Sequence, residues 1–290
     1  ALRRLGIPQL VWAYECHTDV IARELKIDPV EFRRKNILRE GRPQATGTNM
    51  KDAAIEQVLD AVAEQMNWSA PFDRGTGVIR RGRGIAIGFK ASISPTTSVA
   101  IVNVSADGSA SLNMATTDMG QGSDTIMAQI VAEVLSLDAE KVRVMHTDTD
   151  ITPYDMGTLG SRSTFHMGHA VRLAAEDARA KLQAMAKEVG LPEGSNYPIS
   201  EIFQKRYGMQ AGNVIGSGTY VPTYQSPDKK TGMSENVTPF WMVGGAGAEV
   251  EVDTETGKVK VTKLVNVADC GTPINPKIAT TQVSGGAIMA

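Results

Sequence analysis

The chain has 290 residues, of which 42% are hydrophobic, so it can form one large or two ordinary globular domains with a buried core. Its 30 basic and 32 acidic residues give a formal net charge of -2 without a basic stripe, which argues against a nucleic-acid partner. No apolar run approaches the roughly 20 residues that span a bilayer, and no signal segment opens the chain. We therefore expect a cytoplasmic protein without a membrane span.

The first third of the sequence predicts three helices. The apolar positions of the first recur at helical spacing on one amphipathic face: Leu10, Tyr14, His17, Ile21 and Leu25. The second begins with an N-cap Asp28, Pro29 at the first helical position and a capping-box Glu31, and Gly41 suits its far end. The third is indicated by apolar residues at helical spacing that would form one buried face: Ile55, Val58, Leu59, Val62 and Met66.

After residue 84 the pattern changes to short β segments with helices between them. Two hairpins are predicted: Val99 to Val104 with Ala110 to Met114 across Asp107-Gly108, and Glu249 to Val252 with Lys258 to Val261. The intervening helices are predicted over Thr125 to Leu137 and His166 to Glu188. This is an α+β layout of mixed sheets with flanking helices.

Three further segments carry expectations about organisation. Residues 71–83 are rich in Pro, Gly and Arg and are interpreted as a linker. Ser217 to Pro239 lacks any period and is predicted to be a long loop. Pro276 to Ala290 has the composition of an apolar helix without a C-cap, so we expect a helix truncated there.

Cysteine and histidine are too few and too scattered to predict a metal ligated directly by the protein. Cys16 and Cys270 form no CxxC pair, and we interpret both as buried thiols. His166 and His169 lie three residues apart on a predicted helix, but a structural zinc site needs about four ligands. We expect no such metal site.

The stretch from Thr117 to Thr125 ends a β segment and opens a helix. Gly120 and Gly122 leave the backbone uncovered, the helix N-terminus favours an anion, and Gln121 offers a donor and an acceptor. An ordinary tight strand-to-helix turn is the alternative, and this motif alone favours it. A P-loop is excluded because no Gly-Lys-Ser/Thr follows.

Two more turns have a similar composition. Gly157 to Thr164 combines glycines, hydroxyls and one guanidinium ahead of a helix, which suits a phosphate or a polar heterocycle; the alternative is a Ser/Thr N-cap beside a solvated Arg162. Asp269 to Pro276 leads into the last predicted helix, which carries Gln282. Three helix-opening turns of this kind are explained most simply if they converge on one anionic ligand.

Together these residues resemble the molybdopterin-binding large subunit of the xanthine dehydrogenase and aldehyde oxidase family of molybdenum hydroxylases. The motifs occur in the family's order: Ala1 to Gln9, Met119 to Gly122, Gly160 to Thr164, and Asp269 to Gln282, with the Glu249 to Gly257 hairpin. The resemblance assigns residues 1–70 to the C-terminal part of a first molybdenum-cofactor-binding domain. After the 71–83 linker, residues 84–290 resemble the second such domain, truncated at its C-terminal end.

The resemblance also implies which residues contact the cofactor: Arg3, Gly120, Gln121, Gly122, Gly160, Ser161, Arg162, Ser163, Thr164 and Gln282. Gln121 would approach the dithiolene and oxo side of molybdenum, and Arg3 would lend its backbone beside the metal. Leu5 would line the substrate pocket, where the family often has an aromatic residue that stacks on the substrate. None of these residues would ligate the metal directly.

By the same resemblance, the enzyme hydroxylates an aldehyde, a purine or another N-heteroaromatic substrate with oxygen from water. Its molybdenum cofactor is molybdopterin, alone or as a dinucleotide, and [2Fe-2S] clusters and FAD lie on partner subunits or domains. The catalytic residue is a glutamate base beyond Ala290, in the rest of the molybdenum subunit. A carbon monoxide dehydrogenase-type relative and a non-catalytic scaffold or binding module of the same fold are the alternatives.

Overall fold

A computed structural model describes residues 6–92, 94–192 and 197–289, and its contacts divide the chain into two compact units. The discontinuous unit comprises Ala1–Ile93 and Tyr224–Ala290, and the inserted unit comprises Ser94–Thr223. The α+β class predicted from the sequence is confirmed. The division into two cofactor-binding domains joined by a linker at residues 71–83 stays a prediction.

Each unit has its own sheet and helices. Within the described residues, the elements of the discontinuous unit are α1 (Ile7–Glu24), α2 (Pro29–Asn36), α3 (Ile55–Gln65), β1 (Ile79–Ala91), β6 (Trp241–Asp253), β7 (Val259–Asp269) and α7 (Pro276–Ile288). Those of the inserted unit are β2 (Ser98–Ser105), β3 (Ala110–Met114), α4 (Ser123–Leu135), β4 (Val142–Val144), α5 (Gly168–Glu188), α6 (Ile199–Tyr207) and β5 (Asn213–Tyr220). None of the described helices is both long and apolar enough to cross a membrane.

The discontinuous unit is built on an antiparallel sheet with strand order β1-β6-β7. Helix α3 packs on it through the predicted apolar stripe, in which Val58, Val62 and Met66 are buried. Strand β6 is rich in glycine because α3 approaches it closely: a Cβ at Gly247 would lie 2.4 Å from Met66 Cγ. The predicted hairpin around the Thr256-Gly257 turn is confirmed as β6 and β7.

Helix α2 begins as the sequence predicts and ends earlier. The Asp28 carboxylate accepts hydrogen bonds from the backbone N–H groups of Val30 at 2.8 Å and Glu31 at 3.2 Å. The Glu31 side chain pairs with Arg34 rather than completing a capping box. The helix stops at Asn36, several residues before Gly41, and its C-cap residue is already extended.

Helix α1 exists where it is predicted, but the face assigned to the core is wrong. Leu10 is 60% exposed and Leu25 57% exposed, whereas Glu15 and Ala22 are buried. The Glu15 carboxylate accepts from Arg33 Nε at 2.8 Å and from the backbone N–H of Ile87 at 2.9 Å. A buried carboxylate therefore anchors α1 to the sheet, where the sequence suggests an apolar stripe.

Both cysteines are exposed, so the prediction of buried thiols is wrong. Cys16 follows the buried Glu15 on α1, and successive helical side chains point about 100° apart around the axis. Cys270 lies in the turn after β7. Cysteine is generally buried, but Cys16 lies on the solvent side of α1 and Cys270 lies in an exposed turn, so neither thiol is covered.

The inserted unit has a four-stranded sheet with the order β4-β3-β2-β5. The predicted hairpin of β2 and β3 is confirmed, and Gly108 in its turn has φ +82°. Strand β4 joins β3 in parallel, and β5 joins β2 antiparallel. Helices α4 and α5 share an apolar core with this sheet, centred on Val102, Leu112 and Val171.

The predicted loop over residues 217–239 is partly wrong, because residues 217–220 belong to β5. Glycine is depleted in strands, so the segment around Gly216 and Gly218 shows no clear β pattern. The glycines have a packing reason. A Cβ at Gly216 would lie 2.1 Å from the carbonyl oxygen of Ala174, and one at Gly218 would lie 2.2 Å from that of Ala170. Helix α5 thus rests directly on the β5 backbone.

We predict that Gly218→Ala destabilises the protein by about 2–3 kcal/mol, because the added methyl clashes with the backbone of α5, which unlike a side chain cannot rotate away. The matched control is Gly84→Ala, in β1, where a Cβ has nothing within 4 Å. Denaturant unfolding of the two variants measures the difference. Equal stability of the two variants would show that α5 does not rest on β5 in this way.

Candidate functional site

The turn between β3 and α4 is organised around the carboxylate of Asp118. Asp118 Oδ1 accepts from the backbone N–H groups of Gly120 at 2.7 Å and Gly122 at 3.3 Å, and Oδ2 accepts from that of Asp124 at 3.2 Å. Both glycines have positive φ, +94° and +79°. The protein's own carboxylate therefore occupies the N-terminus of α4, where the sequence suggests an external anion.

The Asp118 carboxyl stays ionised more readily than an ordinary aspartate. Burial raises its pKa, but the backbone hydrogen bonds from Gly120, Asp124, Gly122 and Ser123 outweigh that effect, and the net pKa is lowered. Asp118 therefore carries its negative charge at neutral pH. The turn consequently favours neutral or cationic groups over a phosphate.

The Gln121 side chain folds back into the same turn. Its Oε1 accepts from the backbone N–H of Met119 at 2.5 Å, and its Nε2 donates to Thr117 O and Ser123 Oγ, each at 3.0 Å. The amide therefore stabilises the turn together with the two glycines. Oε1 keeps one lone pair for a ligand, whereas both Nε2 hydrogens are engaged.

The second predicted loop contains a buried arginine rather than a solvated one. The side chains of Arg162 and Asp155 are 1% and 0% exposed, and their Nη1 and Oδ1 atoms are 2.6 Å apart. Arg162 Nη2 also donates to the Thr96 carbonyl oxygen at 3.2 Å and to Ser98 Oγ at 2.9 Å. The solvated-arginine alternative is therefore wrong, and the guanidinium lies beneath the loop.

Asp155 fixes the start of that loop. Its carboxylate accepts from the backbone N–H of Gly157 at 2.6 Å and from the Ser98 hydroxyl. Further along, Gly160 and Ser161 are exposed and have φ +58° and +66°. A Cβ at Gly160 would lie 2.9 Å from Ser94 Oγ, so the position favours glycine for space as well as for φ.

A threonine joins the two loops. Thr158 Oγ1 donates to the Thr117 carbonyl oxygen at 2.7 Å and accepts from the Thr117 backbone N–H at 3.0 Å. Two of the three predicted turns thus lie side by side in the inserted unit. Five exposed residues of the two loops are together called the rim: Thr117, Gly120, Gly160, Ser161 and Thr164.

The loop leads into a five-residue π-helical turn, Ser163–Met167, which carries the first of the two candidate histidines. His166 is buried, and its Nδ1 lies 3.2 Å from the Arg162 carbonyl oxygen. His169 Nδ1 donates to the Phe165 carbonyl oxygen at 2.6 Å. Across residues 6–92, 94–192 and 197–289, no three His, Cys, Asp or Glu side chains are grouped to bind a metal.

The remaining predicted site residues lie outside these loops. Gln282 is half-buried on α7, which belongs to the discontinuous unit. Its helix begins after Asn275, whose Oδ1 accepts from the Ile278 N–H at 3.0 Å, so the predicted helix start is confirmed. Arg3 and Leu5 fall outside the described residues. The convergence of all three turns stays a prediction.

Sequence reasoning missed Asp118, Asp155 and Thr158, the residues that shape the loops. A signal for two of them existed. Each aspartate precedes a glycine by two residues, the spacing at which an aspartate side chain accepts from a backbone N–H to form an Asx turn. The role of Thr158 depends on contact with a residue 41 positions away, for which the sequence gives no signal.

We predict that Arg162→Met destabilises the protein by about 3–5 kcal/mol, because it leaves the buried Asp155 carboxylate without its partner. The control is Arg172→Met, which removes an exposed pair with Glu176 and should cost at most about 1 kcal/mol. Chemical denaturation measures both. Similar losses in the two variants would contradict the structural importance of the buried pair.

We further predict that His166 makes stability depend on pH. Burial, then the charge of Arg162, lowers the pKa of His166 below its ordinary value of 6.5. The folded protein keeps this ring neutral while the unfolded chain protonates it, so stability is full above pH ~6.5 and falls below it, by at most ~1.4 kcal/mol per pH unit. Melting at pH 7.5 and 5.5 should show a smaller loss in His166→Asn. An equal loss would contradict this assignment.

Comparison with known proteins gives the same assignment as the motifs. A family model of the molybdopterin cofactor-binding domain matches residues 56–290, a range that includes both loops that carry the rim and the whole of α7. The xanthine dehydrogenase molybdenum-binding subunit of Escherichia coli O157:H7 is 29% identical over 99% of this chain and 40% of its own length.

Two further relatives are named for different activities. The carbon monoxide dehydrogenase large chain of Afipia carboxidovorans is 29% identical over 97% of this chain and 38% of its own length. The solved aldehyde oxidoreductase of Desulfovibrio gigas superposes with a TM-score of 0.82 at 28% identity, covering 99% of this chain and 31% of its own length. The chain spans two fifths or less of each of these proteins. Because the family model matches most of its length, the chain belongs to the molybdopterin cofactor-binding domain family of the xanthine dehydrogenase and aldehyde oxidoreductase enzymes.

Proposed function

We propose that this chain forms one wall of the molybdenum-cofactor site in an oxidoreductase that hydroxylates an aldehyde, a purine or another N-heteroaromatic substrate with oxygen from water. The observation that carries the proposal is the match of the cofactor-domain model to residues 56–290. The likeness to an aldehyde oxidoreductase structure over 99% of the chain supports the reaction class.

The described residues fit a hydrogen-bonding organic cofactor. The rim carries exposed backbone at Gly120 and Gly160 and the exposed hydroxyl-bearing residues Ser161 and Thr164. A pterin presents ring nitrogens, an amino group and a carbonyl, which need donors and acceptors of this kind. Asp118 at the α4 N-terminus disfavours the cofactor's phosphate at that turn, so we expect the turn to contact another part of the cofactor.

The proposed roles follow from the positions of the side chains. Gln121 contacts the cofactor through its remaining Oε1 lone pair, and Ser161, Ser163 and Thr164 line the pterin. Arg162 is buried and engaged with Asp155, so we propose that it contributes by holding the loop in shape. When bound, the molybdenum cofactor supplies the two-electron redox chemistry and the transfer of oxygen.

Several parts of the proposal come only from the family resemblance. Gln282 would hydrogen-bond the cofactor, Arg3 would contribute its backbone near the metal, and Leu5 would line the substrate pocket. The glutamate base would belong to another part of the molybdenum subunit. [2Fe-2S] clusters and FAD on partner subunits or domains would carry the electrons away, and the assembled enzyme would be cytoplasmic.

Oxidation of carbon monoxide is the second candidate, because the large chain of a carbon monoxide dehydrogenase aligns with 97% of this chain at 29% identity. The two candidates use different substrates with a related cofactor. Assays of the complete enzyme with aldehydes, purines and carbon monoxide distinguish them directly.

We predict that the complete enzyme containing this chain carries about one molybdenum and one pterin per molybdenum subunit. Metal analysis and the fluorescent product of oxidative pterin release measure the two quantities. Because Arg162 holds the loop from below, Arg162→Met should also reduce pterin content, whereas the surface variant Arg172→Met should not. A fully active enzyme with neither metal nor pterin would refute the proposal.

A further inference from the structure

The carboxylate of Asp118 does more in its turn than cap a helix. The N-cap residue of α4 is Gly122, and no side chain caps it from that position. Asp118 instead lies four residues earlier and binds the backbone N–H groups of Gly120, Gly122 and Asp124. It therefore holds both glycines that flank Gln121.

The Gln121 amide depends on the same arrangement. Its acceptor binds Met119 N and its donors bind Thr117 O and Ser123 Oγ, all within the seven residues that surround Asp118. The two sets of bonds use different polar groups of one turn, so neither replaces the other. If the carboxylate is lost, the N–H groups of Gly120 and Gly122 lose their charged acceptor and the glycine backbone regains freedom.

We propose that Asp118 is a positioning residue that holds Gln121 and its flanking backbone in place for the cofactor. This inference rests on the proposed function, because it assigns the Gln121 turn to the cofactor site. Asp118 acts through the turn and does not itself contact the cofactor. Its charge also disfavours the ligand's phosphate at this turn.

The test uses the complete enzyme and a matched pair of substitutions. Asp118→Asn keeps an acceptor oxygen for the glycine N–H groups and loses the charge and the second carboxylate oxygen. The control is Asp107→Asn, which alters a similar aspartate turn in the β2–β3 hairpin, where Asp107 Oδ1 accepts from Ser109 N at 2.9 Å. We expect turnover per subunit to fall about tenfold in Asp118→Asn and less than twofold in Asp107→Asn, with similar melting temperatures.

A double-mutant cycle tests whether Asp118 acts through Gln121. Adding Asp118→Asn to Gln121→Ala should reduce turnover by no more than about twofold beyond Gln121→Ala alone, because the residue being positioned is already gone. Independent contributions would instead multiply the two single losses. That multiplicative result, or unchanged turnover in Asp118→Asn, would overturn the proposal.

Amide hydrogen exchange supplies a measurement that needs no cofactor. In the cofactor-free enzyme, Asp118→Ala should speed exchange of the amides of residues 119–124 at least tenfold, and Asp107→Ala should affect only residues near 107–109. Unchanged exchange at 119–124 would show that Asp118 does not order the turn and would reject the proposal. Absence of molybdenum from the unsubstituted enzyme would count against the proposed function instead, and exchange would still decide the role of Asp118.

Discussion

The buried ion pair between Arg162 and Asp155 is the interaction on which the candidate site depends. Both side chains are excluded from water, and together they bind Thr96, Ser98 and Gly157. A buried pair of this kind adds little net stability, since desolvation offsets the attraction between the charges. Removing one partner is costly, however, and the geometry is therefore fixed. The loop above the pair includes Gly160 and Ser161, both with positive φ.

This constraint extends to the second loop through Thr158, which bonds to both polar groups of the Thr117 peptide backbone. In that loop the polar groups bond to one another. The Asp118 carboxylate accepts from three backbone N–H groups at the start of α4, and the Gln121 amide bonds to three further groups of the turn. Internal bonds thus pair the charged groups of the two loops, and the exposed rim carries no charged side chain. Such a surface suits a large organic cofactor held by many modest hydrogen bonds, as expected for this family.

The sequence predicts those elements whose signal is local. The apolar period of α3 and the alternation across Asp107-Gly108 each lie within about 15 residues, and both elements are confirmed. The glycine-rich turns are found for the same reason. The sequence does not reveal features that depend on residues far away in the chain. Arg162 donates to Ser98, 64 residues away, and the buried face of α1 is set by the elements that pack against that helix. Strand β5 is not predicted because its glycines, which strands generally disfavour, are required there by the close approach of α5.

The most direct test is a structure of the complete enzyme with anomalous diffraction recorded on both sides of the molybdenum absorption edge. We expect one molybdenum peak on the rim side of the inserted unit, with pterin density in hydrogen-bond contact with the Gly157–Thr164 loop and the Gln121 turn. A molybdenum peak and pterin density remote from both loops would contradict the assignment of the rim to the cofactor.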